Sequence, residues 1–392
     1  MPGVHAKLSA SGASRWMACP PSVELEAEIR SKHKNEETSV YAEEGTAAHE
    51  LAEAKLRLYL EPKSRKLKAE LKKARASSWY NEEMEEATTR YVDKVIELYH
   101  DALKSSDDAL LLVEQRLDFS PWVPEGFGTG DAVIIGDGLL RVCDLKYGKG
   151  VPVSAEGNPQ ARLYGLGAYY TYEAVYDIDG VETWIIQPRL DAVSSELISA
   201  SDLLQWATDE VVPKAQLAAE GAGEFTPGSH CRWCAAKATC RARTEANLMM
   251  ASYEFAPPAT LDTDEIAVVL SKAEELQAWA KDLQAYALEQ AEKHGVKFAG
   301  WKLVEGRSVR TIEDEAAVIG ALRDEGFTDD DIYTRKLAGL TAYGKLLGKK
   351  TLETLLGPYI IKPPGKPTLV PEADKRPEIS SAASAAVDFE EA

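Results

Sequence analysis

Residues 129–147 read TGDAVIIGDGLLRVCDLKY, two apolar runs joined by Asp137-Gly138. An Asp-Gly pair between apolar runs of strand length is a hairpin signal, because tight hairpin turns need residues that tolerate positive φ. The chain is therefore committed to a sheet here, with strands expected at 129–136 and 139–147. Successive strand side chains point to opposite faces, so Asp144 and Lys146 share one. Burying either charge alone is costly, which puts the pair at a strand end facing a cleft, a metal or an anionic substrate. The plain alternative is a solvated edge strand carrying two unrelated charges.

The rest of the chain supplies helices around that hairpin. Residues 43–60 read as a helix with His49 in its first turns. Residues 82–103 read as another, with Met84, Ala87, Tyr91, Val95, Leu98 and Ala102 recurring at three and four. Strands are expected at 110–118 and 181–187, and helices at 158–176 and 201–219. The order helix, three strands, helix, strand gives an α/β fold, a mixed sheet flanked by helices. A long amphipathic helix spans about 262–294, with Ile266, Leu270, Leu276 and Leu283 on a stripe suited to core packing and Gly295 as its C-cap. A hairpin is suggested at 296–312 and a helix at 313–325. The organisation is one domain over 1–250, a mainly helical accessory region over 255–370, and a tail over 371–392 whose Ser, Ala and acidic composition predicts disorder.

Composition narrows the setting. Apolar content of 45% supports a substantial core, no run approaches the ~20 apolar residues of a membrane span, and the N-terminal stretch lacks the apolar centre of a secretory signal. A cytoplasmic location follows as the expectation, and with it reduced thiols for the five cysteines. The net charge of −19 argues against a chain that coats nucleic acid with its whole surface. One local exception stands out: Lys63, Arg65, Lys66, Lys68, Lys72, Lys73 and Arg75 crowd into residues 63–75 against the single Glu70. They are either a solvated helix face or an arm that contacts phosphates.

Asp131 opens the strand before Asp144, and hairpin pairing would bring the two carboxylates close enough to share a divalent cation. Lys146 beside them could orient water or offset charge developing on a phosphate. Gln160 and Tyr164 stand at i and i+4 on one helix face, from which their polar tips could reach the same place. His49 could add an imidazole ligand suited to Mn²⁺. Cys143 alternates away from Asp144 and reads as core. Cys231-x2-Cys234-x5-Cys240 is a compact triplet, and Cys19 is the one other thiol outside the catalytic strand. Four thiolates there would staple the two ends of the domain, around either zinc or an iron–sulfur cluster.

His49, the G-T-G-D ending in Asp131, the D-x-K of Asp144 and Lys146, and the Q-x-x-x-Y of Gln160 and Tyr164, in that order, resemble the RecB-like branch of the PD-(D/E)XK nuclease superfamily. The resemblance covers about residues 8–245 and implies metal-dependent cleavage of DNA, with Mg²⁺ or Mn²⁺ as cofactor. It implies that His49, Asp131, Asp144 and the Leu145 main-chain carbonyl bind the ion, that Lys146 is catalytic, and that Gln160 and Tyr164 support it. Glu114 on the first strand is a further candidate carboxylate for the metal site. The one-plus-three cysteine arrangement is similar to that of AddB-type and CRISPR-adaptation nucleases, which implies a [4Fe-4S] cluster, with Zn²⁺ the less favoured occupant. Residues 334–377 resemble the C-terminal part of phage and prophage proteins that carry this domain. The resulting expectation is an exonuclease that processes double-strand DNA ends in phage or prophage recombination within a bacterial cell, alongside a phage single-strand annealing recombinase. Its rival is a non-catalytic module that binds DNA ends or a recombination partner on the same scaffold. A thiolate-metal redox protein is a third possibility, without a companion cofactor motif.

Overall fold

The computed structural model describes residues 6–32, 40–250, 263–304, 314–324, 326–333 and 340–360. Five strands form one sheet in the order β1 (Leu110–Asp118), β2 (Phe127–Ile135), β3 (Gly138–Leu145), β4 (Ile178–Gln187) and β5 (Ala192–Ser199). The Asp-Gly turn forms as its chemistry demands, with Gly138 at φ +80°. β1–β2, β2–β3 and β4–β5 pair antiparallel, and β3 pairs with β4 in parallel. A parallel neighbour needs a crossover, supplied by a helix over Pro159–Tyr172, whose start is fixed by Pro159 in its first turn and by Asn158 accepting from Ala161 N at 3.1 Å.

Before the sheet come α1 (Ala13–Ala18), α2 (Ser22–Lys32), α3 (Val40–Leu60), α4 (Arg65–Ala74) and α5 (Glu82–Ser105), and the crossover helix is α6. One core joins Val133, Ile135, Leu140 and Val142 to α6, to Trp16 of α1, and to two helices after the sheet, α7 (Ala200–Trp206) and α8 (Val212–Glu220). The second core joins Ala132, Ile134, Cys143 and Leu145 to Ala52 and Leu56 of α3 and to Tyr91, Val95 and Leu98 of α5. Cys143 is thus a core residue, as its alternation predicts. Residues such as Leu56 and Val95, almost wholly withdrawn from water, each contribute about 1.5–3 kcal/mol of apolar burial. That fixes α3, and with it His49, against the sheet.

Two strands depart from the two-residue period at one row. Leu111 and Val113 pack in the second core, yet Leu117, of the same parity, packs in the first. Likewise Ala132 and Ile134 lie in the second core, whereas a Cβ at Gly128 or Gly130 would meet Tyr164 or Leu117 of the first. The switch on β1 coincides with Glu114, held at φ +54°, a left-handed conformation that a glutamate adopts only when its surroundings impose it. The switch on β2 falls at Asp131.

After the sheet, the expected 201–219 helix is broken into α7, a π-helical turn over Ala207–Val211, and α8, with Pro213 in the first turn of α8. α9 (Arg241–Met250) and α10 (Thr263–His294) follow. The apolar stripe of α10 does not pack as a core helix would: Ile266, Leu270, Leu276 and Leu283 are exposed. α10 is attached instead through ion pairs from Arg243 of α9 to Glu275 at 2.6 Å and Asp282 at 2.8 Å. The chain divides into two compact units at 295/296, so α10 belongs with the first. The second unit holds α11 (Glu315–Asp324), α12 (Asp329–Ile332), α13 (Leu340–Leu347) and α14 (Lys349–Leu356). Residues 296–304 contain no strand, and residues 305–312 of the suggested hairpin and the whole 371–392 tail lie outside the described residues.

Candidate functional site

The register that pairs Val113 with Ala132 and Gln115 with Gly130 sets Glu114 opposite Asp131, and the register that pairs Ala132 with Cys143 sets Asp131 beside Asp144. Three carboxylates thus stand in one row across β1, β2 and β3. Asp131 lies mid-strand rather than at the strand start, and the loss of the two-residue period decides which helix each acid meets. Asp131 Oδ1 is 3.0 Å from His49 Nδ1 on α3, while its Oδ2 accepts from the Leu145 N–H at 2.7 Å. The Leu145 main chain thus meets the site through its amide. Ligating atoms of His49, Glu114 and Asp131 all lie within 4.8 Å of one another, the one such group of three among the described residues.

Asp144 belongs to a second, adjoining cluster. Lys146 Nζ stands 3.0 Å from Asp144 Oδ2 and donates to Gln160 Oε1 at 2.9 Å. Gln160 Nε2 in turn lies 3.4 Å from Asp144 Oδ1 and 3.5 Å from the Tyr164 hydroxyl. Tyr164 is seated by Gly128: a Cβ there would fall 2.5 Å from the ring. Asp144 is buried, and its Oδ2 receives no directed hydrogen bond among the described residues. Glu114 and Asp144 thus flank Asp131 on the two sides of the row, and Glu114 joins Asp131 and His49 in the one group of three among the described residues.

The electrostatics record an excess of negative charge. Burial pushes the Glu114 carboxyl up, the neighbouring Asp131 charge adds to it, and the result is about 7. Burial also raises Asp144, against the opposing pull of Lys146. Burial alone would lower His49, but its hydrogen bond with Asp131 and the charges of Asp131, Asp144 and Glu114 carry it up to about 9. Like charges facing one another across strands are destabilising, and the proton held by His49 partly relieves them. A divalent cation fits the donor set, an imidazole and two carboxylates with the Asp144 carboxylate adjoining, and would relieve them more fully.

The basic segment forms α4, capped by Ser64, which accepts from Leu67 N. Leu71 and Ala74 pack it against Ala47, Ala48 and Leu51 of α3, the helix that carries His49. Lys63, Arg65, Lys66, Lys68, Lys72, Lys73 and Arg75 are all exposed. Arg75 is engaged by Glu85 at 2.6 Å and Lys66 lies 3.8 Å from Glu70. No ion pair among the described residues holds the other five.

Far along the chain from one another, Cys19 and the Cys231, Cys234, Cys240 triplet line a single cavity, together with Arg15, Ser22 and Arg243. The sulfurs are not gathered into a group within 4.8 Å, a limit already wider than the spacing of about 3.8 Å that follows from ~2.3 Å Zn–S bonds in a tetrahedron. Burial raises the Cys231 thiol and carries Cys234 up to about 11. Thiols so placed stay protonated without a cation to hold them as thiolates. Three residues lining the cavity carry buried donors with no acceptor among the described residues: Arg15 Nε, Ser22 Oγ and an Arg243 terminal nitrogen. No sequence pattern marks those three residues.

A family model described as "Protein of unknown function (DUF2800)" matches residues 5–377. The chain belongs to the DUF2800 family. Among solved structures, "Crystal structure of SSO0001" is similar to this DUF2800 protein at 15% identity, over 56% of this chain and 95% of that one, with a TM-score of 0.22. No described helix is long and apolar enough to cross a membrane.

Proposed function

We propose that this DUF2800 protein is a divalent-metal-dependent deoxyribonuclease of the PD-(D/E)XK type, with a [4Fe-4S] cluster held by Cys19, Cys231, Cys234 and Cys240. The observation that carries the reading is the row of Glu114, Asp131 and Asp144, flanked by His49 on one side and by the Lys146–Gln160–Tyr164 chain on the other. His49, Glu114 and Asp131 would hold Mg²⁺ or Mn²⁺. That ion supplies Lewis acidity, polarising a phosphate oxygen and lowering the pKa of water.

The chain's own groups do the rest. Lys146 is fixed by Asp144 and Gln160, so its ammonium is preorganised to offset charge that develops on phosphorus. Gln160 links Lys146 to the Tyr164 hydroxyl and so limits the rotamers of both. Glu114 leans on its strained backbone to stand beside His49 and Asp131, which accounts for a left-handed glutamate in mid-strand. DNA is the substrate this charge pattern suits: five exposed cations on and beside α4, free of ion pairs among the described residues, ride on the helix that packs against the one presenting His49. The cysteine cavity fastens the segment around residue 19 to that around residues 231–240, on which the single-domain closure of residues 6–250 depends.

Processing of double-strand ends in phage or prophage recombination, beside a single-strand annealing recombinase, is the cellular setting proposed for this chemistry. The test is cleavage by anaerobically purified protein, with Mn²⁺ or Mg²⁺, of end-labelled linear duplex and of closed circular DNA. Loss of label from linear DNA alone supports an exonuclease; nicking of circles would make it an endonuclease, and no metal-dependent cleavage of either would refute the reading.

A further inference from the structure

The cysteine cavity carries more than its thiols. Arg15, Ser22 and Arg243 line it, and each presents a buried donor atom with no acceptor among the described residues. An unpaired buried donor is costly, and three on residues lining one cavity call for a shared acceptor. Both guanidinium groups are held in place by other contacts. Arg15 meets Glu26 at 2.6 Å, and Glu26 also accepts from Ala235 N at 2.7 Å, next to Cys234. Arg243, wholly buried, bonds Glu275, Asp282 and the Lys237 carbonyl at 2.6–2.9 Å. Each guanidinium therefore has a spare N–H that its anchors leave unused. Ser22 sits in the turn after Cys19, its N–H donating to the Cys19 carbonyl at 3.0 Å while its hydroxyl has no partner among the described residues. Contact between donors and sulfur already exists in the site, where Gly228 N lies 3.4 Å from Cys231 Sγ.

We propose that Ser22, Arg15 and Arg243 donate hydrogen bonds to the sulfur atoms of the cluster held by the four cysteines and thereby raise its reduction potential. The inference rests on the iron–sulfur reading above. Glu26, Glu275 and Asp282 neutralise the guanidinium charges, so the directed N–H and O–H groups remain as the source of the effect. Hydrogen bonds to sulfur draw electron density from the cluster and favour its reduced form, one of the levers that spread iron–sulfur potentials so widely. Arg243 also ties the cavity to α10, so the group that senses cluster charge is the one that holds α10 in place.

The experiment uses the full-length protein, purified anaerobically, with iron and sulfide assayed and the midpoint potential read by visible absorbance and electron paramagnetic resonance. Ser22→Ala should keep wild-type iron and sulfide content and lower the potential, by roughly 59 mV if the reduction equilibrium changes tenfold for one electron. Arg15→Lys, which keeps a cation for Glu26 but removes the Nε donor, should shift it the same way. Arg30→Ala touches Glu26 from the solvent side, where Arg30 lies 3.7 Å away, and should leave the potential unchanged. Should Ser22→Ala fail to load, Ser22→Thr, which retains the hydroxyl, should restore both loading and potential; its failure would assign Ser22 to packing and overturn the proposal. A loaded Ser22→Ala protein with wild-type potential would overturn the proposal while leaving the cluster in place. Wild-type protein with stoichiometric zinc and no sulfide would overturn the iron–sulfur reading itself.

Discussion

If the carboxylate row is built for a cation, then the metal-free protein should become more stable when one of its charges is removed. Glu114→Gln is the cleanest perturbation, because it keeps the side-chain shape and the strained backbone. Glu114 is raised from 4.5 to about 7 by burial and by Asp131. A carboxyl whose folded pKa lies above its unfolded one weakens the fold as pH rises past about 4.5, with the whole penalty present above about 7. At 1.36 kcal/mol for each pH unit the gap amounts to about 3 kcal/mol, and water at this half-buried site reduces it to about 1–2 kcal/mol. The variant should therefore melt higher than wild type by roughly 2–8 °C at pH 8 in chelator, given the usual 2–4 °C per kcal/mol for domains of this size. At pH 5 most of the advantage should vanish, since Glu114 is then protonated in the wild-type fold. In Mn²⁺ the order should narrow or reverse, because wild type alone keeps the full ligand set. Thermal melts of both proteins at the two pH values, with chelator and with Mn²⁺, decide the matter. A variant that melts below wild type in chelator at pH 8, or gains equally at pH 5 and pH 8, would refute the idea of crowded carboxylates.

Three further outcomes follow from the same geometry. His49, carried up to about 9 by its acidic neighbours, must give up its proton to bind a metal, so Mn²⁺ affinity measured by calorimetry should rise from pH 6 to pH 9 with proton release; a pH-independent affinity would remove His49 from the ligand set. Neutralising Lys68, Lys72 and Lys73 together should weaken DNA binding and lower the slope of log K against log salt by about 0.9 for each phosphate left without its cation, whereas an unchanged slope returns α4 to a solvated face. Cys234→Ala should lose visible absorbance and melt earlier, by up to ~4 kcal/mol of stability if the thiolates act as a cross-link between residue 19 and the 231–240 segment; wild-type stability in that variant would remove the staple.

How far the sequence led depended on whether side-chain pattern or backbone conformation set the outcome. The Asp137-Gly138 turn, the helices carrying His49 and Gln160, and the core placement of Cys143 were legible because turn chemistry and periodicity act locally. β5 was missed because AVSSELIS shows no clean apolar alternation, with Val193 and Leu197, two of its four apolar residues, facing solvent at the sheet edge. The stripe on α10 reads as a core face, but its attachment came from Arg243, Glu275 and Asp282, charges that no periodicity flags. At the candidate site, residue identity and the pairing of Asp131 with Asp144 across the hairpin were legible, whereas the backbone of Glu114, held at φ +54°, and its place beside His49 and Asp131 were not. Nothing in the letters of LLLVEQRLD announces a left-handed residue at its fifth position.

Hydrolysis assisted by Lys146 is the central claim. The direct measurement is single-turnover cleavage of end-labelled linear duplex in Mn²⁺ by wild type, Lys146→Ala and Asp144→Asn, with DNA affinity and thermal melting recorded on the same preparations. Wild type should show metal-dependent cleavage, and both variants should lose at least about a hundredfold in rate, the scale on which a preorganised charge contributes, with binding and folding retained. Cleavage by either variant at the wild-type rate would contradict the claim.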